Sequence, residues 1–199
     1  DFGLSANRIY EFTWSEFCDW YIELSKSRLT GEDEAAKRNV RAVLYHVLES
    51  LLKLLHPFMP FLTEEVYQHL PAASGMLILA AWPEQNPAFA FEAEERRMEG
   101  LMDVIRAIRN LRAEMKVQPG KRTHVTLLPE AGWEEAMSLA EPYLQRLAGA
   151  SAVTLGQKGE TSKEKTVSAV CEAAEIRIPL GDLVDMEKEI ARLEKEHTS

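Results

Sequence analysis

The sequence predicts an α+β protein that is mainly α. It reads as a helical bundle, then a small β-α-β-β-β subdomain, then the start of a C-terminal coiled-coil helix. Three observations carry this reading. Apolar residues recur every three or four positions from Tyr10 to Met115, the period of amphipathic helices. After Pro119-Gly120 the helical period gives way to short β-branched runs bounded by turn residues. From Leu183 the apolar spacing is 3, 4 and 3 with charged residues between, the seam of a coiled coil. The expected boundaries are 1–118 for the bundle, 119–181 for the subdomain and 182–199 for the coiled-coil start.

The first helix, capped by Asp1 or Ser5 and running to about Ser27, is the most aromatic. At 100° per residue Tyr10, Trp14, Phe17, Tyr21 and Leu24 share one face, a stripe suited to anchoring a core. Trp20 lies to one side of that stripe, which makes it the aromatic placed to stack on a base. Thr30-Gly31-Glu32-Asp33 is a turn, and a second helix follows from about Glu34 to Leu55. His56-Pro57-Phe58-Met59-Pro60 stops it, because proline lacks a backbone donor and restricts its predecessor. Thr63 is the expected cap of a shorter third helix with Glu64 and Glu65 in its first turn.

Pro71 to Pro87 is irregular. A fourth helix begins near Glu92 and continues to Val117, buried along Leu101, Val104, Ile105, Ile108, Leu111 and Met115. With Leu101 at 0°, Arg112, Lys116, Arg109 and Arg106 fall at about 20°, 60°, 80° and 140°, a basic flank beside the apolar arc. Thr123–Leu128 is a strand, Trp133–Leu147 a helix, and 152–155, 167–171 and 175–179 three more strands. Gln157 to Lys165 reads as a polar hairpin, and Asp182 as the N-cap of the last helix.

Composition describes an ordinary globular protein, 46% hydrophobic and 28% charged. No apolar run is long enough to span a membrane, and the N-terminus lacks the basic and apolar segments of a signal peptide. Cys18 and Cys171 stand far apart, which excludes a disulfide framework or metal knuckle and favours a reducing, cytoplasmic setting. His56 and His69 lack partners at ligand spacing, so no metal site is expected. No phosphate loop, nucleophile elbow or acid/base dyad is present, so the chain itself is expected to be non-catalytic.

Charge distribution is more telling than its sum. The whole chain carries −9, yet residues 104–122 carry six basic residues against Glu114 alone, a local +5. Arg106, Arg109, Asn110, Arg112 and Lys116, continued by Lys121 and Arg122, form the strongest candidate site. Arginine forks match phosphates and stack on bases, and asparagine reads base edges. Single-stranded RNA loops present such targets. The plainer alternative is a solvated face paired with Glu95, Glu99 or Asp103.

Four blocks also carry a resemblance. They are Phe12-x-Trp14-x-Glu16-Phe17-Cys18-Asp19-Trp20-Tyr21-Ile22-Glu23; Leu55-His56-Pro57-Phe58-Met59-Pro60-Phe61; Ala81-Trp82-Pro83 with Ile105-Arg106-x-Ile108-Arg109-Asn110-Leu111-Arg112-x-Glu114-Met115; and Leu183 to Glu196. Together they resemble the anticodon-binding domain and following coiled-coil arm of class I aminoacyl-tRNA synthetases, most closely those of the valyl type. Isoleucyl-type enzymes share the bundle, but they typically end in cysteine-bearing zinc modules that this chain lacks.

The resemblance implies recognition of a valine-accepting tRNA at its anticodon stem-loop, with phosphates held by the arginines and lysines above. Asn110 and Trp20 would contact bases. It further implies a monomer partnered by the catalytic domain of its own parent chain, where ATP and Mg²⁺ would be used to join valine to tRNA. The His-Ile-Gly-His and Lys-Met-Ser-Lys-Ser signatures of that catalytic domain are absent here, so no cofactor is expected on this chain. The same resemblance reads the chain as a fragment lacking helices before Asp1 and most of the arm after Ser199. The rival expectation is a helical scaffold that docks the catalytic domain and touches RNA non-specifically.

Overall fold

The chain divides into two units, Asp1–Ala88 and Phe89–Ser199. The structure, a computed structural model, describes residues 1–157 and 165–183. It is the predicted mainly helical α+β architecture, a helical bundle followed by a four-stranded sheet. The hairpin expected over 157–165, apart from its ends, and the coiled-coil helix beyond Leu183 lie outside the described residues.

In the first unit α1 (Phe2–Glu11) passes without a break through a π-helical stretch (Phe12–Ile22) into α2 (Glu23–Thr30). The Asp1 carboxylate accepts the Gly3 N–H at 2.9 Å, a side-chain cap at the start. Asp33 does the same for α3 (Glu34–Leu55), accepting from Ala35 and Ala36. Here α4 (Pro60–Gln68) begins at its proline, since N1 needs no backbone donor. Thr63, expected as the cap, is instead buried one turn inside, between the carbonyls of Met59 and Pro60 and the His56 ring. Leu52, Tyr67 and Leu77 form a small core there, with Leu48, Leu70, Ala73 and Ala80 around it.

The aromatic stripe departs from expectation. Phe17, Trp20 and Leu24 are buried, whereas Tyr10 and Trp14 are 66% and 58% exposed. The cause is the π-helical winding over 12–22. Bonding i to i+5 widens the turn, so each residue advances by less than an α-helical step and the stripe drifts. Phe17 and Tyr21 keep their partnership, their rings stacked with centroids 6.2 Å apart.

In the second unit α5 (Glu92–Glu114) is grouped with the sheet, whereas the sequence reading set the divide after residue 118. The strands are β1 (Thr123–Pro129), β2 (Ala150–Leu155), β3 (Thr166–Val170) and β4 (Ala174–Pro179), in the order β2-β1-β4-β3. β1 runs parallel to β2 and antiparallel to β4, which pairs antiparallel with β3. Alternation along β4 buries Ile176 and Ile178, and α5 packs against β3 and β4 with Val104, Ile105 and Ile108 wholly buried.

The single helix expected from Trp133 to Leu147 is two, α6 (Glu134–Ser138) and α7 (Glu141–Leu147). Pro142 is the reason. Its ring would clash with the preceding turn of a continuous helix but suits the first turn of a new one. Asp182 is likewise not an N-cap: α8 (Leu180–Leu183) starts earlier, and the Asp182 carboxylate accepts the His124 N–H of β1 at 2.8 Å.

Candidate nucleic-acid interface

Two close approaches fix α5 and so place the basic flank. The first is at Gly100, where an added Cβ would sit 2.2 Å from Cζ3 of Trp133. Only a bare backbone lets that ring lie so near the helix. Arg96 lies over the indole, 5.6 Å from its centroid, while pairing with Glu172 at 2.8 Å.

The second is at Arg112. Its Nη2 donates to the Lys121 carbonyl at 2.7 Å and its Nη1 to the hydroxyl of fully buried Thr123 at 3.2 Å. The guanidinium lies over Gly149, whose φ of +69° is the left-handed region glycine favours. Burial lowers the Arg112 pKa from the ordinary guanidinium value, yet arginine stays charged at neutral pH. Arg112 therefore joins the end of α5 to the start of β1.

Arg109 and Arg122 are anchored in the same manner. Arg109 Nε donates to the Leu147 carbonyl at 2.8 Å, and Arg122 Nη1 to the carbonyls of Gln145 and Ala150 at 3.3 and 3.2 Å. Gln145 and Leu147 lie in the last turn of α7, where backbone acceptors have no intrahelical partner and a cation suits the helix dipole. With Arg146 these arginines line a cleft of about 500 Å³ floored by the 117–120 turn and the Ala148-Gly149 corner.

The other expected site residues are dispersed. Arg106 is exposed and pairs with Asp103 at 2.9 Å. Asn110 is exposed on α5 and Lys121 is half-buried. Lys116 is exposed and holds a φ of 53°. It ends α5: its N–H bonds Ala113 O and that of Val117 bonds Arg112 O, the pattern usually built around glycine. Trp20, expected to face a base, is 8% exposed, so its ring is turned into the first unit.

Comparison with known proteins now supplies a family. The model of the anticodon-binding domain of tRNA ligase matches residues 1–127. The chain belongs to that family. A valine–tRNA ligase of Clostridium acetobutylicum is 43% identical over 196 residues, covering 98% of this chain and 22% of the relative. Those of Clostridium tetani and Geobacillus stearothermophilus are 44% and 40% identical, again over 22% of their own length. The chain thus spans about a fifth of the length of the relatives it matches.

In this anticodon-binding domain the basic stretch 104–122 lies wholly inside the matched residues, while Arg146 and Gly149 lie beyond them. Sequence reading missed Arg146. It stands alone among apolar and acidic neighbours in α7, and only the fold brings it beside Arg109 and Arg122. Among the described residues no group of three or more histidine, cysteine or acidic side chains is placed to hold a metal ion. No helix among them is long and apolar enough to cross a membrane.

Proposed function

We propose that this chain is the tRNA-recognition part of a valine–tRNA ligase. It grips the anticodon stem-loop of a valine-accepting tRNA and so positions the acceptor end on a catalytic domain carried elsewhere in the parent chain. ATP and Mg²⁺ serve that domain, not this one, and the parent works as a cytoplasmic monomer. The observation that carries the reading is the placement of charge. In a chain of net −9, the stretch carrying +5 falls at the end of α5 and the following turn, inside the anticodon-binding match. Arg109, Lys116, Lys121 and Arg122 offer phosphate-binding cations there, Arg106 joins them by exchanging Asp103 for a phosphate, and Asn110 offers a base-reading amide.

A docking role for the first unit is favoured by a separate observation. Phe61 and Leu79 are 91% and 81% exposed, apolar surface that a docked domain would cover. The two roles are separable by anisotropy titration of labelled tRNA bearing a valine anticodon, from about 50 to 200 mM salt, against an anticodon-swapped control. Tighter binding at low salt that drops with the swapped anticodon is the expected result. Equal binding of both RNAs would leave a scaffold that grips backbone only, and no binding would overturn the reading.

A further inference from the structure

Among the described residues of the second unit, six arginines are held in two different ways. Arg96, Arg97, Arg106 and Arg177 each lie within 3.0 Å of a carboxylate oxygen. Arg112 and Arg122 bond instead to carbonyl and hydroxyl oxygens. A neutral acceptor fixes a guanidinium in place without cancelling its charge. Among the described residues no aspartate or glutamate lines the cleft that these two share with Arg109 and Arg146. Arg146 itself is exposed, in the last turn of α7, and its side chain makes no hydrogen bond or ion pair among the described residues.

We propose that this cleft binds a phosphodiester group of RNA, with Arg146 as the ligating guanidinium and Arg122 as a fixed second cation. The proposal rests on the tRNA-binding reading and extends it to α7, outside the residues matched by the family model. A guanidinium fork fits two phosphate oxygens at once. The anchored arginines hold positive charge behind it at no further ordering entropy when RNA arrives. Contacts to the backbone carry no sequence information, so Arg146 contributes affinity and not anticodon choice.

The test uses the 199-residue chain and its Arg146→Ala and Arg146→Lys variants, titrated with both labelled tRNAs. Arg146→Ala is expected to weaken both RNAs by the same factor, about three- to tenfold, and to reduce the salt slope by about 1. Arg146→Lys is expected to keep the slope while losing part of the affinity, because it retains charge but not the fork. Melting curves of all three proteins are expected to coincide. A parallel arm adds inorganic phosphate at constant ionic strength. Saturable phosphate binding lost in Arg146→Ala, with RNA binding intact, would make this a free-phosphate site and overturn the proposal. Unchanged affinity and slope in Arg146→Ala, with wild-type RNA binding present, would overturn the cleft site alone. A loss confined to the valine anticodon would make Arg146 a base reader instead. Absence of wild-type binding at any salt would overturn the tRNA reading and this proposal together.

Discussion

Arg112→Ala separates an arginine that builds the interface from arginines that touch RNA. The side chain makes two hydrogen bonds across the α5–β1 junction, to Lys121 O and Thr123 Oγ1. Hydrogen bonds from a charged donor contribute about 1.5–3 kcal/mol each, so the pair bounds the effect at about 3–6 kcal/mol. Arg112 is only half-buried, and water can reach the Lys121 carbonyl once the guanidinium is gone. The Thr123 hydroxyl, fully buried, has no such substitute. With the Lys121 carbonyl rescued by water, the expected loss falls to that of the Thr123 bond alone, about 1.5–3 kcal/mol. Arg112→Lys retains charge but cannot fork between both acceptors, and should recover less than half of that loss. Arg146→Ala, with no partner to lose among the described residues, should change stability by less than about 0.5 kcal/mol. Hydrogen exchange of the β1 and β4 amides in urea measures the second unit by itself. An Arg112→Ala protein as stable as wild type but weaker for RNA would refute the reasoning, since Arg112 would then be a ligand and not a tie.

Two further outcomes are expected. Gly100→Ala should destabilise the second unit by about 1–3 kcal/mol despite about 1 kcal/mol gained in helix propensity, because the methyl would meet the Trp133 ring 2.2 Å away. In a Trp133→Ala background its sign should reverse, and stabilisation in the wild type as read by the same exchange experiment would show that the ring does not sit there. In the first unit, donation from the Gln68 amide, then the Leu77 N–H and the nearby His56, hold the Glu64 carboxyl below the ordinary glutamate range, against some desolvation. A depressed folded value means a contribution present above the unfolded pKa and lost as pH falls through the folded one, here below the ordinary glutamate range. The Leu77 amide shift should titrate in that window and be flat in Glu64→Gln; a midpoint at the ordinary glutamate value would be the contrary result.

The helices with a clean 3.6 period were legible because burial alone decides them. Asp33 and the turn before it, the end of α3 at His56, and α5 with its apolar arc are visible as local chemistry. The strands after Pro119 were equally plain, since β-branched runs between turns have few other uses. What escaped was set by geometry that no period encodes. One hydrogen-bond register slip to i+5 moved Trp14 out of the core and Trp20 into it. The ring of Pro142 split a helix whose hydrophobic pattern ran straight through. At the site, the α5 wheel shows a basic flank, but it could not reveal that Arg109 and Arg122 end on carbonyls of α7, with Ala150 of β2 a second acceptor for Arg122, or that Arg112 ends on the Lys121 carbonyl just before β1. Nor could it bring in Arg146.

Those carbonyl partners also account for how an acidic chain can present a site for a polyanion. Ionic screening cuts off fields over about 10 Å at 0.1 M salt, so an approaching phosphate senses its neighbours and not the total of −9. What matters is whether nearby cations are already neutralised. Arg96, Arg97, Arg106 and Arg177 are, by the carboxylates of Glu172, Glu135, Asp103 and Glu175. Around the α7 corner the fold uses the opposite arrangement. The unmet carbonyls at the end of α7 take the Arg122 guanidinium where a carboxylate would cancel its charge, and that charge stays available. Lys116 extends the same logic at the end of α5. A lysine in left-handed backbone costs about 1–2 kcal/mol relative to glycine there, and it sets an exposed cation at the end of α5, one residue before the turn that lines the cleft. Helix termination and charge presentation are thus one structural device in this unit, and both ends that use it, α5 and α7, meet at the same cleft.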